Sequence, residues 1–370
     1  MEFLTKKNEL TDFLGKLSGV AEKRHTLPVL SHCLIEAGDG KIRGTATDLD
    51  IIVRCSCPAD VTVPGSYLIP TKKFLDVVKV LPTDTVKVSL LENGYVQVLS
   101  GKSRFKIAGL PPKEFPDLPE KEEGESFSVN GFDLKVMFER VFSFASSEES
   151  RSDIAGVFLE NTGDDTLRLV ATDGHRLAYV EQKVPSLPKR LENGVIVPRK
   201  GVTELSRLLD ELSGEVTVTV SESFIAGGTE EYEVTARLVG GEFPAYREVI
   251  PSSPSRKVSM DRERFADALR RVSVISTDRL KSVILEVNPQ ETQIQSMSQD
   301  VGEAVDYVDS TLEGEEFRIG FNSRYLLDVT NSCGGESVVM EVTDELSPVL
   351  FRSGERDDFL AVVMPIRTTA

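Results

Sequence analysis

Three side chains that could do chemistry stand close together in the middle of the chain. Asp173, His175 and Arg176 supply an acid, a base and a cation within four residues, a combination that general acid–base catalysis uses. Nucleophilic catalysis requires in addition a positioned Ser or Cys and an oxyanion hole. The 370 residues contain no G-x-S-x-G motif, no P-loop and no G-x-G-x-x-G fingerprint. We therefore predict that the chain is not an enzyme.

The cysteines and histidines do not have the spacing of a metal site. A structural zinc site has four ligands, usually in two pairs at fixed intervals. Cys55 and Cys57 flank one serine in an apolar run, so they share one face if the run is a strand. We interpret them as buried small residues in a reducing cytoplasm. We expect no metal, no cofactor and no disulfide among these residues: Cys33, Cys55, Cys57, Cys333, His25, His32 and His175.

The chain repeats itself with a period of about 125 residues. One repeated pattern is an alternating apolar strand that ends in a triplet of a small residue, a polar residue and Asp. Its first copy is KIRGTATDLD, in which the triplet ends at Asp48. It recurs as LRLVATDGH at Asp173 and, more weakly, as TQIQSMSQD at Asp300. A strand that runs directly into an amphipathic helix recurs at Pro70, Pro198 and Phe321. Pro- and Gly-rich linkers near 120–128 and 251–256 separate the repeats, and we predict domains at 1–122, 128–252 and 253–370.

Each repeat opens with an apolar helix face at i, i+3, i+4 and i+7. Asp261 is a plausible N-cap of the third helix, Asn93-Gly94 predicts a hairpin turn, and Cys333-Gly334-Gly335 predicts a helix end. The predicted fold is α+β, with two helices on antiparallel sheet in each of three repeated domains. The predicted apolar helix faces are Leu10, Phe13, Leu14, Leu17 and Val20; Phe132, Val136, Met137, Val141 and Phe144; and Phe265, Leu269, Val272 and Ile275.

The charge of the chain is unevenly distributed. The net charge is −17, which by itself argues against nucleic acid as a ligand. The six predicted helical segments nevertheless carry a small net positive charge, so the acidity lies elsewhere. Because the apolar helix faces must cover the sheets, Lys and Arg project from the opposite faces. The residues alone leave two alternatives open: an electropositive surface for DNA, or ordinary solvated helix faces.

The chain resembles the bacterial DNA polymerase III beta clamp along essentially its full length. The resemblance rests on RHTLPVLSHCLIEA and ATDLD in the first repeat and on ATDGHRLA and FPAYREVIP in the second. In the third repeat it rests on FNSRYLLDV and AVVMPIR. It implies three domains of one fold per chain and a head-to-tail homodimer that forms a six-domain ring around duplex DNA. Such pairing would cover the exposed sheet edges that each half-ring leaves.

The resemblance also implies three sets of functional residues. The dimer interface would contain Phe105, Ile107, Val274 and Ile275. Arg24 matches a DNA-contacting family position, and helix faces suggest the remaining DNA candidates: Lys72, Lys73, Lys79, Lys135, Arg140, Arg199, Lys200, Arg207, Arg271 and Arg279. Glu148 departs from the family, since some relatives carry a polar neutral DNA contact at this position.

The third set would form a peptide-binding cleft between the second and third domains. Replicative polymerase, clamp loader and repair proteins would insert short apolar motifs into it, with roughly micromolar affinity. The tail Thr368-Thr369-Ala370 extends beyond the usual family end and puts the far end of the groove in doubt. AVVMPIR could equally be a buried C-terminal strand. The cleft set is Ile154, Thr172, Gly174, His175, Arg176, Leu177, Pro244, Val249, Tyr325, Leu346, Pro348, Val362, Val363, Met364, Pro365, Ile366 and Arg367.

A peptide-binding scaffold of three repeats that does not bind DNA is the alternative to a clamp; it would be monomeric and would not stay on closed circular DNA. No run of 18 apolar residues and no apolar leader segment occurs, so we expect a cytoplasmic protein without a membrane span.

Overall fold

Alternating apolar and polar residues form antiparallel strands through most of the chain. The computed structural model describes residues 1–21, 27–119, 122–148, 150–276, 281–298 and 300–367. Val86 and Val88, for example, are fully buried between more exposed neighbours. The hairpin predicted at Asn93-Gly94 is confirmed, because Gly94 has φ of 79° and its N–H donates to the Leu91 carbonyl. All strand pairs in the described residues are antiparallel, as the α+β prediction requires.

The described residues divide into two units. The first contains residues 1–132 and 203–238, and the second contains 133–202 and 239–370. Both α3 (Gly131–Phe142) and α4 (Arg199–Glu211) include a point at which the chain passes between units. Residues of the predicted second domain therefore belong to both units.

The first unit contains a five-stranded sheet of order β5-β1-β7-β8-β9 and an eight-stranded sheet of order β10-β15-β16-β17-β4-β3-β2-β6. Helix α1 (Lys7–Ser18) packs on α2 (Thr71–Lys79) and on β4. The strands are β1 (Glu2–Lys6), β2 (His32–Gly38), β3 (Lys41–Thr47), β4 (Ile51–Pro58), β5 (Asp60–Val63), β6 (Gly65–Pro70), β7 (Thr85–Leu90), β8 (Tyr95–Ser100), β9 (Ser103–Ala108), β10 (Glu125–Asn130), β15 (Glu215–Val220), β16 (Phe224–Gly228) and β17 (Tyr232–Arg237).

The second unit contains a twelve-stranded sheet of order β14-β11-β12-β13-β25-β24-β23-β18-β21-β20-β19-β22. Helix α5 (Arg262–Ser273) packs on α6 (Ser323–Cys333). The strands are β11 (Gly156–Asn161), β12 (Thr166–Thr172), β13 (Arg176–Lys183), β14 (Val195–Pro198), β18 (Arg256–Asp261), β19 (Ser282–Val287), β20 (Glu291–Ser298), β21 (Gly302–Glu313), β22 (Phe317–Asn322), β23 (Ser337–Val342), β24 (Val349–Ser353) and β25 (Phe359–Val363).

The predicted helix signals are largely confirmed. Asp261 caps α5 by accepting a hydrogen bond from the Arg264 N–H at 2.8 Å. Helix α6 ends at Cys333, and Gly334 follows it with φ of 67°. Helices α2, α4 and α6 each follow a strand directly, as the second repeated pattern predicts.

The apolar faces are correct for the first repeat and need a correction in the second. The five predicted residues of the first face are all buried. Phe132, at the start of α3, is 69% exposed, because Leu134 and Phe138 face the core in its place. In the third face Phe265, Leu269 and Val272 are buried, whereas Ile275 lies beyond the end of α5 and is half-buried.

All four cysteines are free thiols in buried positions, which confirms the predicted burial of Cys55 and Cys57. Burial raises the pKa of the Cys33 thiol to about 12 and that of Cys333 to about 11. Because the thiolate is the reactive form, these thiols are protonated packing groups at neutral pH.

Candidate functional site

The Asp of the repeated strand pattern forms the same turn in the first and second repeats. Asp48 accepts backbone hydrogen bonds from Asp50 and Ile51, and Asp173 accepts the equivalent pair from His175 and Arg176. The Thr before each Asp also hydrogen-bonds within its turn. These aspartates therefore shape a turn, a common role of short acidic side chains.

The residue after Asp has positive φ in both turns. Leu49 has φ of 83° and Gly174 has φ of 88°. Glycine adopts this conformation without the steric cost that leucine incurs. A Cβ on Gly174 would lie 3.2 Å from the Arg151 guanidinium, so glycine also leaves space for Arg151.

Arg176, one of the three candidate catalytic side chains at 173–176, is a buried cation whose guanidinium is engaged by neighbouring groups. Its guanidinium donates to Asp173 at 3.0 Å, to Asp328 at 2.6 Å and to the Ser143 carbonyl. It also lies against the rings of Phe144 and Tyr325. Two carboxylates compensate the one positive charge, as a buried charge requires.

Next to this turn lies a cavity of about 680 Å³ in the second unit. Its volume is within the range of small-molecule and peptide pockets. Leu177 and Val362 come from the neighbouring strands β13 and β25 and belong to a buried apolar cluster with Tyr246 and Leu350. The antiparallel register pairs Leu177 directly with Val362, so β13 and β25 together form an apolar part of the wall.

Most residues predicted for the cleft line this cavity. They are Ile154, Thr172, Gly174, His175, Arg176, Leu177, Pro244, Val249, Pro348, Val362 and Met364. Segments far apart in the chain thus come together at one site. They include the ATDGHRLA segment of the second repeat and the C-terminal AVVMPIR segment.

The remaining predicted residues are outside this cavity. Leu346, Ile366 and Arg367 line a second cavity of about 420 Å³, together with Arg318, Ile319, Gly320 and Glu345. Tyr325 lies against Arg176, and Pro365 is half-buried and lines neither cavity. Val363 is fully buried in β25, so the reading of AVVMPIR as a buried strand is correct at this position.

Several lining residues were not predicted. Glu248 and Tyr246 belong to a short 3-10 turn, Tyr246–Val249, and the next residues complete that wall. The sequence could have predicted Tyr246 and Glu248 as lining residues, because the family motif FPAYREVIP includes both. The lining residues that the sequence analysis missed are Arg151, Ala245, Tyr246, Glu248, Ile250, Pro251, Ser252, Ser253, Thr343 and Ser347.

A polar network holds the 3-10 turn in place. The Tyr246 hydroxyl donates to the buried carboxylate of Glu160 and accepts from Arg168 at 2.6 Å. The Arg247 guanidinium donates to both Glu160 oxygens at 2.8 and 2.9 Å. Burial and the bond to Glu160 raise the pKa of Tyr246, so the hydroxyl stays protonated. Fully satisfied buried networks of this kind fix a local structure.

The cationic candidates for DNA contact fall into several groups. Lys73 and Lys79 are exposed and Lys72 is partly exposed on α2. Arg207 is exposed and pairs with Glu204, whereas Arg271 pairs with Asp306. Lys135 and Lys200 are partly exposed, and Lys135 pairs with Glu139. Arg24 and Arg279 are outside the described residues.

Arg140 corrects the DNA-contact prediction. It is buried in the second unit, where it donates to the Ser332 and Cys333 carbonyls at 2.7 and 2.9 Å and to Asp358 at 2.7 Å. It thereby satisfies carbonyl groups at the end of α6, which lack partners within that helix. A guanidinium engaged in this way is not available to a phosphate.

Arg199 is a second, partial correction. Its guanidinium donates to the Phe142 and Ala145 carbonyls and lies 4.2 Å from the centre of the Phe142 ring. Burial and the nearby Arg176 lower the pKa of Arg199. These contacts direct the side chain to backbone rather than to solvent.

The predicted dimer residues lie at or near two open sheet edges. Phe105 and Ile107 are on β9, which lies at the edge of the five-stranded sheet of the first unit and, within the described ranges, pairs with β8 alone. In the second unit, residues 302–309 of β21 pair with β20 but have no strand on their other side among the described residues. Val274 is 77% exposed, and Met297, Val301, Val305 and Tyr307 are further exposed apolar residues in or beside this edge.

Two classes of site were not found in the part of the chain that the structure describes. No group of three His, Cys, Asp or Glu side chains is arranged to hold a metal ion. No described helix is long and apolar enough to cross a membrane.

Repeated units of two helices on antiparallel sheet, with an apolar cavity beside the second repeat, define the class of DNA clamps. Sequence models of the three DNA polymerase III beta subunit domains match the chain in order: the N-terminal domain at 1–119, the central domain at 128–245 and the C-terminal domain at 247–367. The chain belongs to the DNA polymerase III beta subunit family, the bacterial beta sliding clamps.

Individual relatives match over their whole length. The chain is 34% identical over 368 residues to the beta sliding clamp of Pseudomonas aeruginosa and 33% identical over 369 residues to that of Escherichia coli K12, in each case over 99% of this chain and 100% of the relative. It superposes on the crystal structures of the Caulobacter crescentus clamp and of the P. aeruginosa clamp bound to griselimycin, each with a TM-score of 0.93 and full coverage of both chains, at 32% and 34% identity.

Proposed function

We propose that two copies of this chain form a ring that encircles duplex DNA and tethers replication and repair proteins to it. The observation that carries the proposal is the ordered match of all three beta subunit domains, supported by full-length relatives. The three proposed domains are residues 1–122, 128–252 and 253–370. The ring needs no catalytic residue, because it acts by topology.

The two open sheet edges support a head-to-tail homodimer. An unpaired edge strand is a template for pairing with another chain. Near β9 the exposed side chains of Lys102, Arg104 and Lys106 are cationic, whereas the β21 edge carries the exposed acid Glu303. Asp309 on the same edge is already paired with Arg264 at 3.1 Å. Opposite charges favour pairing of one edge with the other edge over pairing of either edge with itself.

DNA contacts in such a ring must be weak and independent of sequence. Phosphate contacts from Lys and Arg have this character, and their strength falls as salt increases. Lys72, Lys73, Lys79, Arg207 and Arg271 remain the best described candidates, because their charged groups are at least partly exposed. The whole chain carries a net charge of −17, so the surface outside these cations is strongly acidic and would discourage DNA from binding elsewhere.

Partner proteins would bind the 680 Å³ cavity through short apolar peptide segments. Each buried apolar side chain of a peptide contributes about 1.5–3 kcal/mol before the cost of ordering the peptide. Two or three such side chains give roughly micromolar affinity, which suits partners that exchange. The replicative polymerase, the clamp loader and repair proteins are the proposed partners, acting in the cytoplasm.

The decisive experiment uses closed circular DNA. An ATP-driven clamp loader would load the labelled protein onto a nicked circle, and gel filtration would separate bound from free protein. We expect the protein to stay on the circle and to leave after a restriction enzyme linearises it. Loss from circles and linear DNA at equal rates, together with a monomeric mass, would favour the alternative of a scaffold that does not bind DNA.

A further inference from the structure

The 3-10 turn Tyr246–Val249 presents one carboxylate to the cavity from a fixed position. Tyr246 and Arg247 both bind Glu160, so two consecutive side chains hold the turn to the sheet beneath it. The next two residues, Glu248 and Val249, line the cavity and are exposed. Because the backbone is held, a ligand that contacts Glu248 need not order this turn first.

Two arginines near Glu248, Arg247 and Arg176, are paired with other carboxylates, whereas Glu248 has no ion-pair partner in the described part of the chain. Glu160 compensates Arg247, and Asp173 and Asp328 compensate Arg176. In the described part of the chain, no ion pair includes Glu248, and it is the one acidic residue that lines the cavity. The wall formed by this turn therefore carries an unneutralised negative charge beside the apolar surface of Val249.

We propose that Glu248 makes the cavity select peptides that carry a Lys or Arg beside their apolar residues. The inference rests on the proposed peptide-binding function and specifies the charge of the partner segment. A basic residue reaching Glu248 would form an ion pair at the rim, while the apolar residues occupy the floor near Leu177 and Val362.

The size of the effect follows from the exposure of Glu248. Ion pairs in contact with solvent contribute about 0.2–1 kcal/mol, so a matched Lys should tighten binding by a factor of about 1.4 to 5 over an uncharged residue. Arg151 also lines the cavity and would favour an acidic residue instead. Arg151 and Glu248 therefore predict preferences of opposite sign for the charge of the peptide.

The test is a charge scan of synthetic peptides on the full-length protein. Short fluorescent peptides share one Leu-Phe core and carry a single Lys, Gln or Glu at each flanking position in turn. Fluorescence anisotropy measures Kd for each peptide at about 0.05 M and about 0.5 M salt. We expect at least one position at which Lys binds tighter than Gln and Gln tighter than Glu, with the preference reduced at high salt.

Glu248→Gln should abolish this preference, and Glu248→Lys should reverse it. The matched control is Glu242→Gln, because Glu242 is an exposed acid on the same segment that does not line the cavity. Binding of every peptide with no Lys preference, or a preference that survives Glu248→Gln, would overturn the inference alone. Failure of all the peptides to bind would overturn the proposed peptide site and the inference together.

Discussion

Two arginines with the same sequence signature have different roles in this chain. Each lies on an amphipathic helix close to an acid, since Arg140 directly follows Glu139 and Arg207 is three residues after Glu204. Arg140 is buried against Asp358 and the end of α6, whereas Arg207 is exposed beside Glu204. The side-chain type predicts a cation, and the surrounding structure decides whether it stabilises the fold or faces solvent.

Arg140→Met should destabilise the second unit by about 2–4 kcal/mol, because it leaves Asp358 and two carbonyls without their donor. Denaturant unfolding monitored by hydrogen exchange of α6 would measure the loss. The matched control Lys73→Met replaces an exposed cation of α2 and should change stability by less than about 0.5 kcal/mol. Equal stability of the two variants would contradict the structural role of Arg140.

The same interaction predicts a pH dependence. Burial tends to raise the pKa of Asp358, but hydrogen bonds from Arg140 and Arg356 outweigh it and lower the pKa below its ordinary value of 3.8. A lowered pKa contributes stability that is present above the unfolded value and is lost as pH falls through the folded one. The stability difference between the wild-type protein and Arg140→Met should therefore be constant near neutrality and shrink below about pH 4. A difference that grew on acidification would contradict this assignment.

At the scale of elements, helix ends and sheet edges determine which surfaces remain for partners. Helix α5 ends at Ser273, and the next residue, Val274, is largely exposed. Strand β21 has an open edge over 302–309 with exposed Val305 and Tyr307. Exposed apolar residues beside an unpaired edge are typical of an interface.

Val274→Asp should weaken the homodimer at least about ten-fold in Kd, because a charge in an apolar contact is desolvated without a partner. Analytical ultracentrifugation over a concentration series would measure the dimer dissociation constant, and Ile275→Asp should act in the same direction. Val63→Asp is the control, since Val63 is an exposed valine on β5, outside the proposed interface. Dimers of unchanged strength in both interface variants would refute the predicted interface.

At the scale of the whole molecule, a ring would retain DNA even when its individual contacts are weak. Replacing Lys72, Lys73 and Lys79 by Gln should reduce the slope of log K against log salt for linear DNA by up to about 0.9 per lost contact. Retention on closed circles should persist, because it depends on closure of the ring. Lys113→Gln serves as the control, since Lys113 lies in a short 3-10 turn outside the helices. A triple variant that falls off circles as fast as off linear DNA would show that contacts, not topology, retain the protein.

Much of the architecture was predictable because it depends on local sequence. The strand-to-helix junctions, the turn at Asn93-Gly94, the cap at Asp261 and the helix end at Cys333 all follow from neighbouring residues. The turns around Asp48 and Asp173 follow from the repeat, since the same short motif makes the same hydrogen bonds.

The sequence by itself determined the repeat, the element types and the family, because periodicity and spaced motifs are properties of the chain. Only the tertiary structure decided which cations are buried, which face of α3 is covered and which side chains complete the cavity. Glu160 and Tyr246 are 86 residues apart, and Arg140 and Asp358 are 218 apart. Contacts at such separations depend on how the sheets pack, and packing rather than local propensity brought Glu248 to the cavity, where no described residue forms an ion pair with it.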